Sequence, residues 1–184
     1  MPKMKRILFS LVFSAIMLLY VALPAQAHTA TPGRNSVNAD HQILYLNETR
    51  YDTALAKAVS RWNSLNAGSG VHIARTTDPD KATLKIYDVN NCSDWWAGKV
   101  SIYRPGMDTV QLNVCKMKNF PRGDRMRIVT HELGHTLNFD HNDLPATSIM
   151  YPSPASTSLT HPGPHDEQDY NDYWIVGPAK TGGY

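Results

Sequence analysis

The stretch HELGHTLNFDH, residues 131 to 141, constrains the fold more tightly than any other part of the chain. It places three histidines in eleven residues, at spacings of four and then six, with a glutamate directly after the first. Histidines four apart on a helix project from one face one turn apart, so His131 and His135 can share a cation. Glu132 then lies about 100° round the helix from His131, close to that cation but angled away from ligation, where a general base for an activated water belongs. His141 becomes a third ligand only if the helix stops between 135 and 141 and the chain turns back. Asn138 stands where it must stop, and after Gly it is the residue most tolerant of positive φ. Three neutral imidazoles leave the fourth position of a tetrahedral zinc ion open, which marks a catalytic and not a structural site.

Residues 1 to 27 read as an export leader. Lys3, Lys5 and Arg6 precede an apolar run from Ile7 to Leu23, and Ala25-Gln26-Ala27 supplies a small-x-small cleavage pattern. The expected mature chain is 28–184, of a size for one catalytic domain with its own core, secreted and free of the membrane once the leader is removed. The leader holds three of the 18 Lys and Arg and none of the 16 Asp and Glu, so 28–184 carries a formal charge of −1. Nothing basic is left to attract nucleic acid, and the expected state is a monomer. Cys92 and Cys115 are the two cysteines, and an even pair in an exported chain defaults to one disulfide, worth about 3 kcal/mol on the loop-entropy model.

The polar residues from His28 to Asp40 read as a loose arm. QILYL at 42–46 reads as a strand, and Asn47 or Thr49 is placed to cap a helix striped by Leu55, Val59, Trp62 and Leu65. Strands are expected at 71–75, 83–89, 99–104 and 109–114. A second helix, capped by Asp124 and striped by Met126, Val129, Leu133 and Leu137, runs through the histidine motif. A Pro-rich ordered loop and a last helix, capped by Asp166 and packing Tyr170, Tyr173 and Trp174, complete the chain. The order implies an α/β fold with one five-stranded, mostly parallel sheet, two large helices and a small irregular C-terminal lobe ending in a helix.

His131, Glu132, His135, Asn138 and His141, followed nine residues later by Met150 within Ser148-Ile149-Met150-Tyr151-Pro152, resemble the HExxHxxGxxH motif and methionine turn of the metzincin zinc endopeptidases. Asp140 and the Met-Tyr-Pro run are similar to matrixins, and the small size is similar to snapalysins, which however place aspartate at the third ligand. The resemblance covers most of 28–184 in element order and about 30 residues at motif level. It implies one catalytic zinc held by His131, His135 and His141, Glu132 as general base, Met150 as an apolar floor beneath the imidazoles, and a protein or peptide substrate extended along the 99–104 strand as sheet edge. It also makes the 83–89 and 109–114 strands parallel neighbours, which brings Cys92 and Cys115 to adjacent strand ends. The chain departs from the family in having Asn138 for Gly, no cysteine in the arm to serve as a latency switch, and no histidine in 90–98 for a second zinc.

Other readings stay open. A peptide-binding module could keep the fold and the zinc without turnover, and a zinc hydrolase could act on non-peptide amides. Trp95-Trp96 either contact substrate or cover the sheet end. Asp78-Pro79-Asp80-Lys81 reads as a turn, with calcium conceivable but unsupported, and His161 and His165 read as solvated loop residues.

Overall fold

The computed structural model describes residues 33–177 apart from 67, 104 and 154–156. The leader expected at 1–27, and His28, lie outside the described residues. Five strands, β1 (Gln42–Glu48), β2 (His72–Arg75), β3 (Leu84–Val89), β4 (Gly98–Ser101) and β5 (Asp108–Asn113), form one sheet in the order β2-β1-β3-β5-β4. All neighbours are parallel except β4, which runs antiparallel to β5 at the edge. The expected mostly parallel α/β sheet is therefore present, with the 99–104 strand shortened to four residues. The run expected as a strand to Val114 bends at Asn113, whose side chain accepts from Cys115 N and opens a short helix, α2 (Val114–Met117).

Two long helices cover the sheet. α1 (Asp52–Asn63) buries Leu55, Ala58 and Trp62 and packs beside α3 (Arg122–Thr136), where Trp62 Nε1 donates to Thr130 O at 2.8 Å. α1 also meets β2, and α3 meets β4 and β5, so α3 passes under the sheet edge. Its buried Val129 and Leu133, with Leu137 just beyond, follow the expected stripe.

Three expected caps are corrected. α1 starts after Tyr51 with no side-chain cap; Asn47 Oδ1 accepts from Thr49 N and Thr49 Oγ1 from Tyr51 N, so both residues shape the turn ahead of the helix. α3 starts after Pro121, three residues earlier than a cap at Asp124 allows, because Pro fixes the entry φ; Asp124 sits in the first turn, where its charge meets the positive helix end and Arg127 at 2.7 Å. The last helix, α4 (Pro164–Tyr170), starts after Gly163 and widens into a π-helical turn at Asn171–Val176. Asp166 lies in its first turn and not at its cap, and it buries Tyr170, Tyr173 and Trp174 as expected.

The arm is not loose over its described part. Ser36 N donates to Thr136 O at 2.8 Å and Ser36 Oγ to Asp108 at 2.8 Å, which fastens the segment to the end of α3 and the start of β5. Asn35 and Ser36 are buried, a polar anchoring that a scan for apolar periodicity cannot detect. Cys92 and Cys115 form the expected disulfide, Cα atoms 5.2 Å apart, just past the paired ends of β3 and β5 at Val89 and Asn113. No helix among the described residues is long and apolar enough to cross a membrane.

Candidate metal centre

α3 ends where the motif requires. Thr136 is its last residue, Leu137 N and Asn138 N close the final turn on Gly134 O and His135 O, and Asn138 adopts φ +74°. Its amide nitrogen donates to Tyr173 Oη at 3.1 Å, so the π-helical turn helps to hold the reversal. The chain then doubles back, and His141 meets the helix histidines.

The three Nε2 atoms form a triangle with every edge 3.2 Å. His131 Nδ1 lies 2.8 Å from Ile149 O and His135 Nδ1 2.8 Å from Phe139 O. A carbonyl only accepts, so both Nδ1 atoms carry the proton and both Nε2 atoms present bare lone pairs to each other. Lone pairs at 3.2 Å repel and are not hydrogen-bonded; a cation among them turns that repulsion into ligation. A tetrahedral ion bonded at about 2.0–2.1 Å keeps its nitrogen ligands about 3.3 Å apart, so the triangle fits a small divalent metal. Three imidazoles suit zinc, copper, iron or nickel. Burial of His131 and repulsion from its neighbouring imidazoles push its pKa down to about 3, and burial pushes His135 down to about 4, so both are neutral donors at ambient pH.

The carbonyl that orients His131 is itself held from the C-terminal lobe. The buried Asp166 carboxylate accepts from Ile149 N at 2.6 Å, Gly163 N at 2.7 Å and Ser148 Oγ, and Ser148 Oγ in turn accepts from Met150 N and Asn142 Nδ2. Met150 is buried against α3 at Gly134, between the two ligand turns. A Cβ at Gly134 would fall 2.3 Å from Met150 Sδ and 2.9 Å from Trp62 Cζ2, so only glycine lets the thioether pack against α3 in the turn that carries His135.

Glu132 is buried, and desolvation raises its pKa to about 8. It sits against the edge strand: a Cβ at Gly98 would lie 2.5 Å from Glu132 Oε1 and 2.6 Å from its Cγ. A cleft of about 890 Å³ opens between β4 and α3 and is lined by His131, Glu132, His135 and His141. Its floor follows one face of α3 through Asp124, Ile128, His131 and His135, and Pro152 and Ser153 of the Pro-rich loop border it.

The structure thus brings together His131, Glu132, His135 and His141, with Asn138 at the turn and Met150 against Gly134 of the ligand helix. Sequence reasoning missed Gly98, Gly134 and the set Asn142, Ser148 and Asp166. A glycine at the head of a strand and one inside a helix were visible signals; the polar set had none, because its members are far apart in sequence. His161 is exposed as expected; His165 is not a solvated loop residue, because it lies in the first turn of α4 with its side chain largely buried, 3.5 Å from Asp169. In the 78–81 turn, Asp78 accepts from Asp80 N and pairs with Lys81 at 3.2 Å, as the turn reading expects.

No family model matches the chain, and no curated protein matches it. Among solved structures, a chain of the GM1-bound form of the ECX AB5 holotoxin has a TM-score of 0.51 and 13% identity, over 70% of this chain and 78% of that chain. At that identity the likeness is one of fold alone.

Proposed function

We propose that the chain is a secreted, zinc-dependent endopeptidase of the matrixin-like metzincin type, cutting internal bonds of proteins or peptides. The observation that carries this reading is the juxtaposition of the Nε2 triangle with the Glu132 carboxylate on the floor of a long cleft walled by an edge strand. Imidazoles of His131, His135 and His141 are the donors that zinc takes, and zinc when bound supplies a Lewis acid that brings the pKa of water to about 7.

The chain's own residues supply the rest. Among the described residues β4 pairs on one side only, with β5, so its other side offers backbone groups on which an extended peptide can lie as a further strand. That pose carries a scissile carbonyl past the histidines and beside Glu132. Glu132, whose carboxyl a cation held by the three histidines would bring back down from its metal-free value, takes a proton from the attacking water and delivers it to the departing amine, so that one carboxylate acts first as base and then as acid. Met150 and Gly134 keep the ligand turns packed, and Asp166, through Ile149, fixes the ring of His131.

The test is mass spectrometry of a protein digest by chain 28–184 with zinc, with chelator, and with Glu132→Ala. Internal cuts that chelator and the substitution both abolish support the reading. Zinc bound at one ion per chain with no cut in any peptide would favour the binding module, and turnover confined to non-peptide amides would favour the third class.

A further inference from the structure

Trp95 is 91% exposed, the most exposed of the large apolar side chains among the described residues. It lines the cleft, next to the half-buried Trp96. Its loop is nevertheless rigidly built. The Cys92–Cys115 disulfide ties the loop to α2, and Lys116 Nζ donates to Cys92 O at 2.9 Å. Asn113, fully buried, accepts from Asn91 N at 3.2 Å and donates to Asn91 O at 2.6 Å and Trp96 O at 3.3 Å. A large aromatic group held out on a fixed loop loses little entropy on contact, which is the character of a binding anchor.

Its place in the cleft follows from the same ties. α2 leads through Phe120 into the start of α3, so Trp95 belongs to the end of the cleft where Phe120 and Asp124 lie. Gly98 marks the position opposite Glu132, and three residues of extended chain span at most about 10 Å. Lys99 Nζ already stands 5.9 Å from the Trp96 ring centre, so the face of Trp96 is taken by a cation and the exposed ring of Trp95 is the aromatic surface left to a partner.

We infer that Trp95 selects substrate: it receives a large apolar or aromatic side chain of the extended peptide, no more than three residues from the bond cleaved and on the side towards the N-terminus of α3. This rests on the peptidase reading. The test uses zinc-loaded wild type, Trp95→Ala and Trp95→Phe on matched quenched peptides that differ only by Phe or Ala at each of three positions on either side of the bond. Wild type prefers Phe about tenfold in kcat/KM at one position; Trp95→Ala brings that ratio to about one through KM, and Trp95→Phe restores most of it. A ratio unchanged in Trp95→Ala overturns the inference while leaving the peptidase reading intact. So does a wild-type dimer in sedimentation that Trp95→Ala dissociates, which would give the ring to a second copy. No chelator-sensitive cleavage of any peptide by wild type removes both.

Discussion

Glu132 owes its position to the residue missing a side chain above it. With Oε1 2.5 Å from where a Cβ would stand at residue 98, Gly98→Ala forces the carboxylate away, because the strand backbone cannot yield without breaking its pairing to β5. A displacement of about 1 Å costs on the order of 10²-fold in a positioned reaction. The expected outcome is that Gly98→Ala keeps one metal per chain and loses about 10²-fold in kcat/KM, read by peptide turnover beside metal analysis. Loss of metal as well would mean that β4 also shapes the histidines. Glu132→Gln keeps the shape and removes the proton carrier, so it should retain metal and lose about 10²–10⁴-fold. Turnover by Glu132→Gln close to wild type would remove Glu132 from the proposed chemistry.

At the scale of elements, Asn138 and Asp166 show what a sequence can and cannot disclose. The end of α3 was legible because two ligand spacings and one backbone preference all demanded a turn near 138, and φ +74° there agrees. Asn138→Ala should cost about 2 kcal/mol, from a left-handed residue with a Cβ and no local bond plus the lost contact to Tyr173 Oη, measured by denaturant unfolding of the metal-free chain. Asn138→Gly should cost about half of that, since it loses only the hydrogen bond; equal losses in the two would show that backbone conformation plays no part. The positions of the strands were legible too, because alternating and apolar runs are read off locally. The ties made by Asp166 and Ser36 were not. They join polar groups 17 and 72 residues from their partners, and nothing periodic announces a hydrogen bond across such a gap. The caps failed for a related reason: Asp124 and Asp166 are good cap residues, but Pro121 and Pro164 set where the helices begin.

At the scale of the whole molecule, buried titratable groups give the metal-free protein a pH dependence of defined sign. His131 and His135 have pKa values near 3 and 4 in the fold against an ordinary 6.5, so as pH falls below about 6.5 the unfolded chain takes up protons that the folded chain refuses. Stability is lost over that range and levels off near pH 3. Glu132 acts oppositely. Its pKa of about 8 in the fold stands above its ordinary 4.5, so as pH rises from 4.5 to about 8 the unfolded chain has already released a proton that the folded chain must still give up at a cost. Of these three groups the two histidines outweigh Glu132 below 6.5 and Glu132 alone remains above it, while burial raises Asp166 too and adds to the same side as Glu132. The metal-free chain should therefore be most stable near pH 6.5 and fall off on both sides, as read by thermal unfolding at constant ionic strength in chelator. Glu132→Gln should flatten the alkaline limb and leave the acid limb in place. Zinc, which binds the neutral imidazoles, should raise the melting temperature at any pH above about 4, where neither ring is protonated in the fold. An alkaline fall that survives Glu132→Gln would show that the carboxylate is not buried beside the histidines, and the cleft geometry on which the peptidase reading depends would have to be redrawn.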